Sequence, residues 1–428
     1  MRLSRPPLYV QVIVGVVLGA IAGTVMGIDA RVLGVSTADL GQLGMLVIRI
    51  LKMLAVPLVL LAIMDSIVRS DEITGRKGLR LIVICLVNVS VAFTIGLTLM
   101  NLVEPGTAFV GHLQELAVGL PAGRQAPEGA TLSLLPNLNN WIPESIAQPF
   151  NENNVIAVVL IAILAGAAIR KARRDPDLAP AMSTVALAIE GSYRVVMQML
   201  TWVIKVVPFA VFCVVAQVVG RAGIGVFHAM WGFLAIILVG FAIHGLIYYP
   251  LVAWLVGGKS PRIYLGRGAD AVLTGLSTNS SLATVPITLR CLDRMGVSQG
   301  SARLAACVGT NLNNDGITLY EAMAALFLAQ ALGYDLSLGT QITIVVASLM
   351  AGMGVAGVPE AGYVVLPLVL AAAGMSEAVV TAVLPLVFAV DWVLARCRSG
   401  VNVLSDMVVA VLLDGRGRTQ ASPPPPSQ

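Results

Sequence analysis

Apolar residues dominate six long stretches of the first 256 positions, near 8–28, 41–68, 79–103, 153–170, 185–219 and 225–256, and polar residues collect between them. A run of about 20 apolar residues is the length at which a helix crosses the hydrocarbon layer of a membrane. The pattern therefore predicts six spanning helices. Beyond position 260 it changes character. Three segments of small and polar residues break the apolar runs: LSTNSSLATVPIT at 276–288, VGTNLNNDGITLYEA at 308–322 and AGMGVAGVPEAG at 351–362. Their flanks are too short or too broken for ordinary crossings. Unpaired backbone groups at membrane depth are tolerated only where protein or a water-filled cavity satisfies them, so these segments read as re-entrant tips or unwound turns. Half-helices broken in this way turn free N–H groups toward an anion and free carbonyls toward a cation, which is the construction of a coupled transport site.

Taken singly, SSLAT reads equally as a small-residue packing face, and the glycine-rich segment as a hinge. Asn313, Asn314 and Asp315 are harder to assign to packing, because three adjacent polar groups exceed what a helix contact needs. The last apolar segment, AVDWVLARCRSGVNVLSDMVVAVLL, strengthens the functional reading. Asp391, Ala395, Arg398, Asn402 and Asp406 fall at steps of four, three, four and four, which is one stripe of a helix. A charge at the bilayer centre costs about 3 kcal/mol or more, so such a stripe faces protein or a cavity and marks a functional candidate.

Composition agrees with a membrane location: 57% of residues are hydrophobic and 12% charged, against about 25% charged in soluble domains. The net charge of +4 is no nucleic-acid signal, because the basic residues follow topology instead of forming a patch. Arg76, Lys77 and Arg80, then Arg170 to Arg174, then Lys259, Arg262 and Arg267 mark alternate loops, while the intervening loops carry only Arg31, Arg124 and Arg221. Excess Lys and Arg marks the cytoplasmic side and puts the N-terminus there too, as expected of a multi-pass protein of the plasma membrane, the bacterial inner membrane. The first apolar stretch reads as a first span or signal anchor, since no cleavage site flanks it. Residues 104–153 form one long external connection, and the terminal SPPPPSQ is a disordered tail. Cys85, Cys213, Cys291, Cys307 and Cys397 lack metal-ligand spacing and read as small hydrophobes. His112, His228 and His244 form no cluster in the sequence.

These segments make the chain resemble the dicarboxylate/amino acid:cation symporters, the family that includes the excitatory glutamate transporters. Five stretches carry the resemblance in order: VIRILKMLAVPLV (47–59), NSSLATVPIT (279–288), NNDGITLYEA (313–322), AGVPEAG (356–362) and DWVLARCRSGVNVLSD (391–406). The resemblance implies an all-α membrane protein with eight transmembrane helices plus two re-entrant helical hairpins, assembled as an elevator-type homotrimer embedded in lipid. Residues 1–104 then supply N-terminal helices of scaffold and transport domain, 105–153 the extracellular loop region, 154–257 further helices of both, 258–414 the transport core, and 415–428 the cytoplasmic tail. Arg398 is implied to bind a substrate carboxylate, Ser280, Ser281 and Gly357 to hold another, and Asn402 and Ala395 to line the site. Arginine suits that role through bidentate pairing. Na+ is implied at Asp406 with carbonyls of Gly309, Asn313 and Asn402, and a further cation near Asp315 and the Asn313 side chain, an all-oxygen set that suits a hard ion.

Departures from the family pattern bear on substrate and ions. Amino-acid carriers place an aspartate for the substrate ammonium where this chain has Ala395. The family's NMDGT becomes Asn313, Asn314, Asp315, Gly316 and Ile317, and its third-helix hydroxyl pair aligns with Asn88 and Val89. Glu360, at the second tip, either replaces the missing ammonium partner or faces external water. Glu321 matches a glutamate similar to the proton carrier of animal glutamate transporters, and is otherwise a structural carboxyl. The expectation is a sodium-coupled symporter importing a small carboxylate, C4-dicarboxylates before acidic or neutral amino acids, and not an enzyme. No serine of the C-terminal half lies in a motif with a histidine that would activate it. An anion channel is the alternative of a different class.

Overall fold

The computed structural model describes residues 8–27, 30–32, 34–69, 76–109, 142–152, 154–355 and 361–415. Most of the external connection, the tail from 416 onward and the tip residues Gly357 and Glu360 lie outside them. The described residues are helical, with one isolated bridge between Val32 and Val35 and no strand.

The first part of the chain follows the apolar pattern closely. It contains α1 (Leu8–Met26), α2 (Thr37–Arg69), α3 (Arg76–Val103), α4 (Val155–Ala172), α5 (Ala179–Ile204) and α6 (Val207–Ala222). Next comes α7, which runs Val226–Ala242, passes through one widened π turn at Ile243–Tyr248 and ends as Tyr249–Leu255. Four described helices are long and apolar enough to cross a membrane: Thr37–Arg69, Arg76–Val103, Val155–Ala172 and Met230–Leu255. The single helix expected at 185–219 is instead two, α5 and α6, bent by 48° at the break. Pro208 lies in the first turn of α6, a place suited to proline because it has no N–H to bond the turn before it.

Small residues hold α1 to α6. A Cβ added to Gly15, Gly19 or Gly23 would sit 2.6 Å from the carbonyl oxygen of Pro208, Phe212 or Ala216 in turn. The two backbones touch along three turns, which glycine permits, and such close approach favours the van der Waals packing that helps hold helices together in lipid.

The second part is built of shorter pieces. Helices α8 (Pro261–Thr278) and α9 (Ser281–Arg294) form a hairpin. Its turn is made by Asn279 in the left-handed region at φ 52°, where Asn is among the few side chains tolerated. Next, α10 (Gln299–Arg303) unwinds through a π turn at Leu304–Val308 and a 3-10 turn at Gly309–Asn311. The chain restarts as α11 (Asp315–Ala331), buried at every position but Gln330. Helices α12 (Leu338–Met353) and α13 (Gly362–Ala372) flank the third interruption, and α14 (Glu377–Asp414) is 38 residues long. Polar ties fix α14 in place: Tyr264 donates to the Leu404 carbonyl at 2.6 Å and Arg80 to that of Leu412 at 2.7 Å. The hairpin meets α14 at Ser399 and Val403, the start of α11 meets it at Arg398 and Asn402, and the start of α13 meets it at Arg398.

Candidate functional site

The five stripe residues of α14 are buried together, and Asp391 and Arg398 are paired. Arg398 Nη1 donates to Asp391 Oδ1 at 2.7 Å and Nη2 to Oδ2 at 3.1 Å, a two-pronged ion pair across two helical turns. The guanidinium lies over the Tyr320 ring, 4.1 Å from its centre, which adds a cation–π contact from α11. Gly362, the first residue of α13, lies against the same group. A Cβ there would come within 2.5 Å of Nη1, so the start of α13 approaches the guanidinium as closely as backbone allows. Glu321, next to Tyr320, is fully buried, and neither of its carboxyl oxygens carries a hydrogen bond.

The first hairpin reaches this point from the other side. Ser399 donates to the Asn279 side chain at 3.1 Å, so the turn is tied to the residue after Arg398. Ser280 caps α9 by accepting from the Ala283 N–H, while the buried Ser281 hydroxyl has no hydrogen bond. Ala395, also buried, presents only a methyl group to the stripe.

Two turns along, the polar groups become oxygen-rich. Asp406 accepts from the Thr310 hydroxyl at 2.9 Å through Oδ2, and its Oδ1 carries no hydrogen bond. Asn402 accepts from the Gly316 N–H at 2.8 Å, which docks the start of α11 on α14. Gly309 and Asn313 lie in the unwound stretch before α11, both buried, and the Asn313 Oδ1 has no hydrogen bond. Buried oxygens without donors are costly alone and are what a cation needs. Asp315 differs, for its Oδ2 accepts from Tyr249 at 2.6 Å and Ser405 at 2.9 Å.

The structure therefore brings Arg398, Asn402, Ala395, Asp406, Gly309, Asn313, Asp315, Ser280, Ser281 and Glu321 into one buried region, with Gly357 outside the described residues. The polar pattern did not single out Tyr320 as an arginine platform, Asn279 and Ser399 as the hairpin tie, Thr310 beside Asp406, or Tyr249, Ser405 and His244 beside Asp315. Asn279 alone had a signal in sequence, since asparagine between two helical segments marks a left-handed turn.

A buried ion pair where the α8–α9 hairpin and the start of α13 meet α14, with a cluster of buried oxygens beside it, defines a class: a multi-pass membrane transporter. The profile of the Sodium:dicarboxylate symporter family matches residues 8–416, and the chain belongs to that family. It is 28% identical to C4-dicarboxylate transport protein 3 of Bradyrhizobium diazoefficiens, over 95% of this chain and 88% of that one. It is 29% identical to excitatory amino acid transporter 3 of Homo sapiens, over 91% and 83%. With excitatory amino acid transporter 1 of Ambystoma tigrinum the identity is 26%, over 94% and 82%. These relatives are transporters, as is this chain, and not enzymes.

Proposed function

We propose that this chain is a sodium-coupled symporter that imports a small carboxylate across the plasma membrane, the inner membrane of a bacterium, with C4-dicarboxylates preferred. The observation that carries the reading is Arg398, paired with Asp391 and buried against Gly362 and Tyr320, with the methyl group of Ala395 one turn away and no acid at that position. In this reading Arg398 and Asn402 bind one substrate carboxylate and the first hairpin around Ser280 and Ser281, with Gly357, binds the other. Sodium sits among Asp406, Gly309, Asn313 and Asn402. Glu321 carries a proton during the cycle, consistent with its two unpartnered oxygens. Residues 258–414 act as the moving core against helices of 1–104 and 154–257, in a homotrimer.

A zwitterionic amino acid brings an ammonium into this region, where an unpaired charge is costly to desolvate. A dicarboxylate brings no such group. Uptake of labelled succinate, malate, aspartate and glutamate into proteoliposomes tests the reading, with sodium and pH gradients imposed separately. The native protein is expected to accumulate succinate or malate only with sodium, and Ala395→Asp to shift preference toward aspartate by about tenfold or more, at least 1.4 kcal/mol. Native preference for aspartate overturns the dicarboxylate assignment. That second reading is favoured by the similar identity of the excitatory amino acid transporters.

A further inference from the structure

The resemblance implies two acidic cation positions, Asp406 and Asp315, and the structure surrounds them differently. Asp315 Oδ2 accepts from the Tyr249 hydroxyl at 2.6 Å and the Ser405 hydroxyl at 2.9 Å, with His244 Nε2 3.4 Å away. All four residues are buried. The widened turn of α7 accounts for the convergence. Its extra residue brings His244, Tyr248 and Tyr249 together toward α11, with the His244 ring stacked 5.1 Å from Tyr248 and edge-on 4.4 Å from Tyr249. Tyr248 in turn donates to the Asn88 Oδ1 at 2.9 Å, and the buried Val89 beside it has no side-chain oxygen. The two positions of α3 that align with the family's hydroxyl pair thus offer one engaged oxygen and one hydrocarbon.

A hard cation is held by several oxygen lone pairs at once. Hydrogen-bond donors aimed at a carboxylate satisfy its charge from the protein, and they turn hydrogens toward the space a cation would occupy. Asp406 faces Thr310 and the Asn313 side chain of the unwound stretch, and its Oδ1 and the Asn313 Oδ1 accept no hydrogen bond. We propose that Asp315 is not a sodium ligand in this protein. Tyr249, Ser405 and His244 hold its charge as a fixed part of the core, and of the two acids Asp406 alone binds sodium. Each transport cycle then takes one sodium fewer than a site using both acids. This inference rests on the reading of sodium-coupled symport.

Sodium titrations of the purified protein, followed by the thermal unfolding midpoint and by succinate binding, decide it. Asp406→Asn is expected to abolish the sodium-induced rise in midpoint. Asp315→Asn, which keeps an oxygen for the donors, is expected to leave the Hill coefficient of sodium unchanged and its half-saturating concentration within about twofold. A sodium response that survives in Asp406→Asn and disappears when Asp315→Asn is added overturns the proposal, as does a lower Hill coefficient in Asp315→Asn. Should Asp315→Asn fail to fold, Tyr249→Phe removes the shortest donor and keeps the charge. It is expected to leave sodium binding unchanged, and a clearly tighter sodium affinity would mean that the donor competes with an ion at Asp315. A native protein that binds succinate but ignores sodium overturns the sodium-coupled reading itself, which separates the two failures.

Discussion

The two parts of the chain solve the same problem, holding helices together in lipid, by different chemistry. Between Leu8 and Ala222, the described buried polar side chains are Thr37 and Asn88. All the others, charged residues included, lie between His244 and Asp406. The first part relies on small residues and close backbone contact, as along α1 and α6, and turns large apolar side chains such as Ile21, Leu164 and Leu187 outward. Outward apolar groups suit a lipid environment and need no protein partner. The second part buries groups that cannot face lipid and must satisfy one another, so its geometry is dictated by hydrogen bonds. The difference separates framework from chemistry: apolar packing tolerates repacking of similar volume, while a buried polar network fails when one member is lost.

Substitutions in the two regions are therefore expected to move different observables. The largest effect is expected from Arg398→Ala, which should abolish carboxylate uptake. Losing one member of a buried, hydrogen-bonded charge pair costs about 2–5 kcal/mol, partly because Asp391 is left unpaired. The double variant Arg398→Ala/Asp391→Ala separates the two contributions: it should recover thermal stability in unfolding assays without recovering uptake. Wild-type uptake by either variant would remove Arg398 from the substrate site.

A smaller effect is expected from Gly362→Ala. Its Cβ would fall 2.5 Å from Nη1 and 2.9 Å from Nη2, and the Asp391 pair and the Tyr320 ring leave the guanidinium little room to retreat. Carboxylate binding measured by calorimetry should weaken by about tenfold, ~1.4 kcal/mol, with folding retained. Unchanged affinity would show that the second hairpin does not set the position of the arginine.

Gly19→Ala tests the other side of the comparison. The added methyl meets the Phe212 carbonyl oxygen at 2.6 Å, and overpacking of this kind costs about 1–3 kcal/mol. The expected result is a lower unfolding midpoint with substrate affinity unchanged. A change in affinity at unchanged stability would contradict the division of labour.

Much of this arrangement is legible in the order of residues, for reasons that differ by region. The spans of the first part can be read because lipid demands continuous apolar length, and α1 to α4 follow the pattern within a few residues. The bend between α5 and α6 escapes that rule, since apolar residues flank it closely on both sides and only Lys205 and Pro208 mark it. The α14 stripe is legible because its members are local, spaced by the helical repeat. His244 and Asp315 are 71 residues apart, and Ser405 and Asp315 are 90 apart. Their contact depends on how α7, α11 and α14 pack, which periodicity does not encode. Glu360 and Gly357 lie outside the described residues.

The pairing of Arg398 with Asp391 also governs how a substrate arrives. Seen from beyond its own length, an ion pair is a dipole, and its field fades faster with distance than that of a lone cation. A dianion entering from water feels little pull from this arginine until it is within contact range. Association should then be governed by access and diffusion, with an on-rate that changes little with ionic strength, unlike electrostatically steered binding. Discrimination among carboxylates falls to short-range fit, expressed mainly in how fast each one leaves.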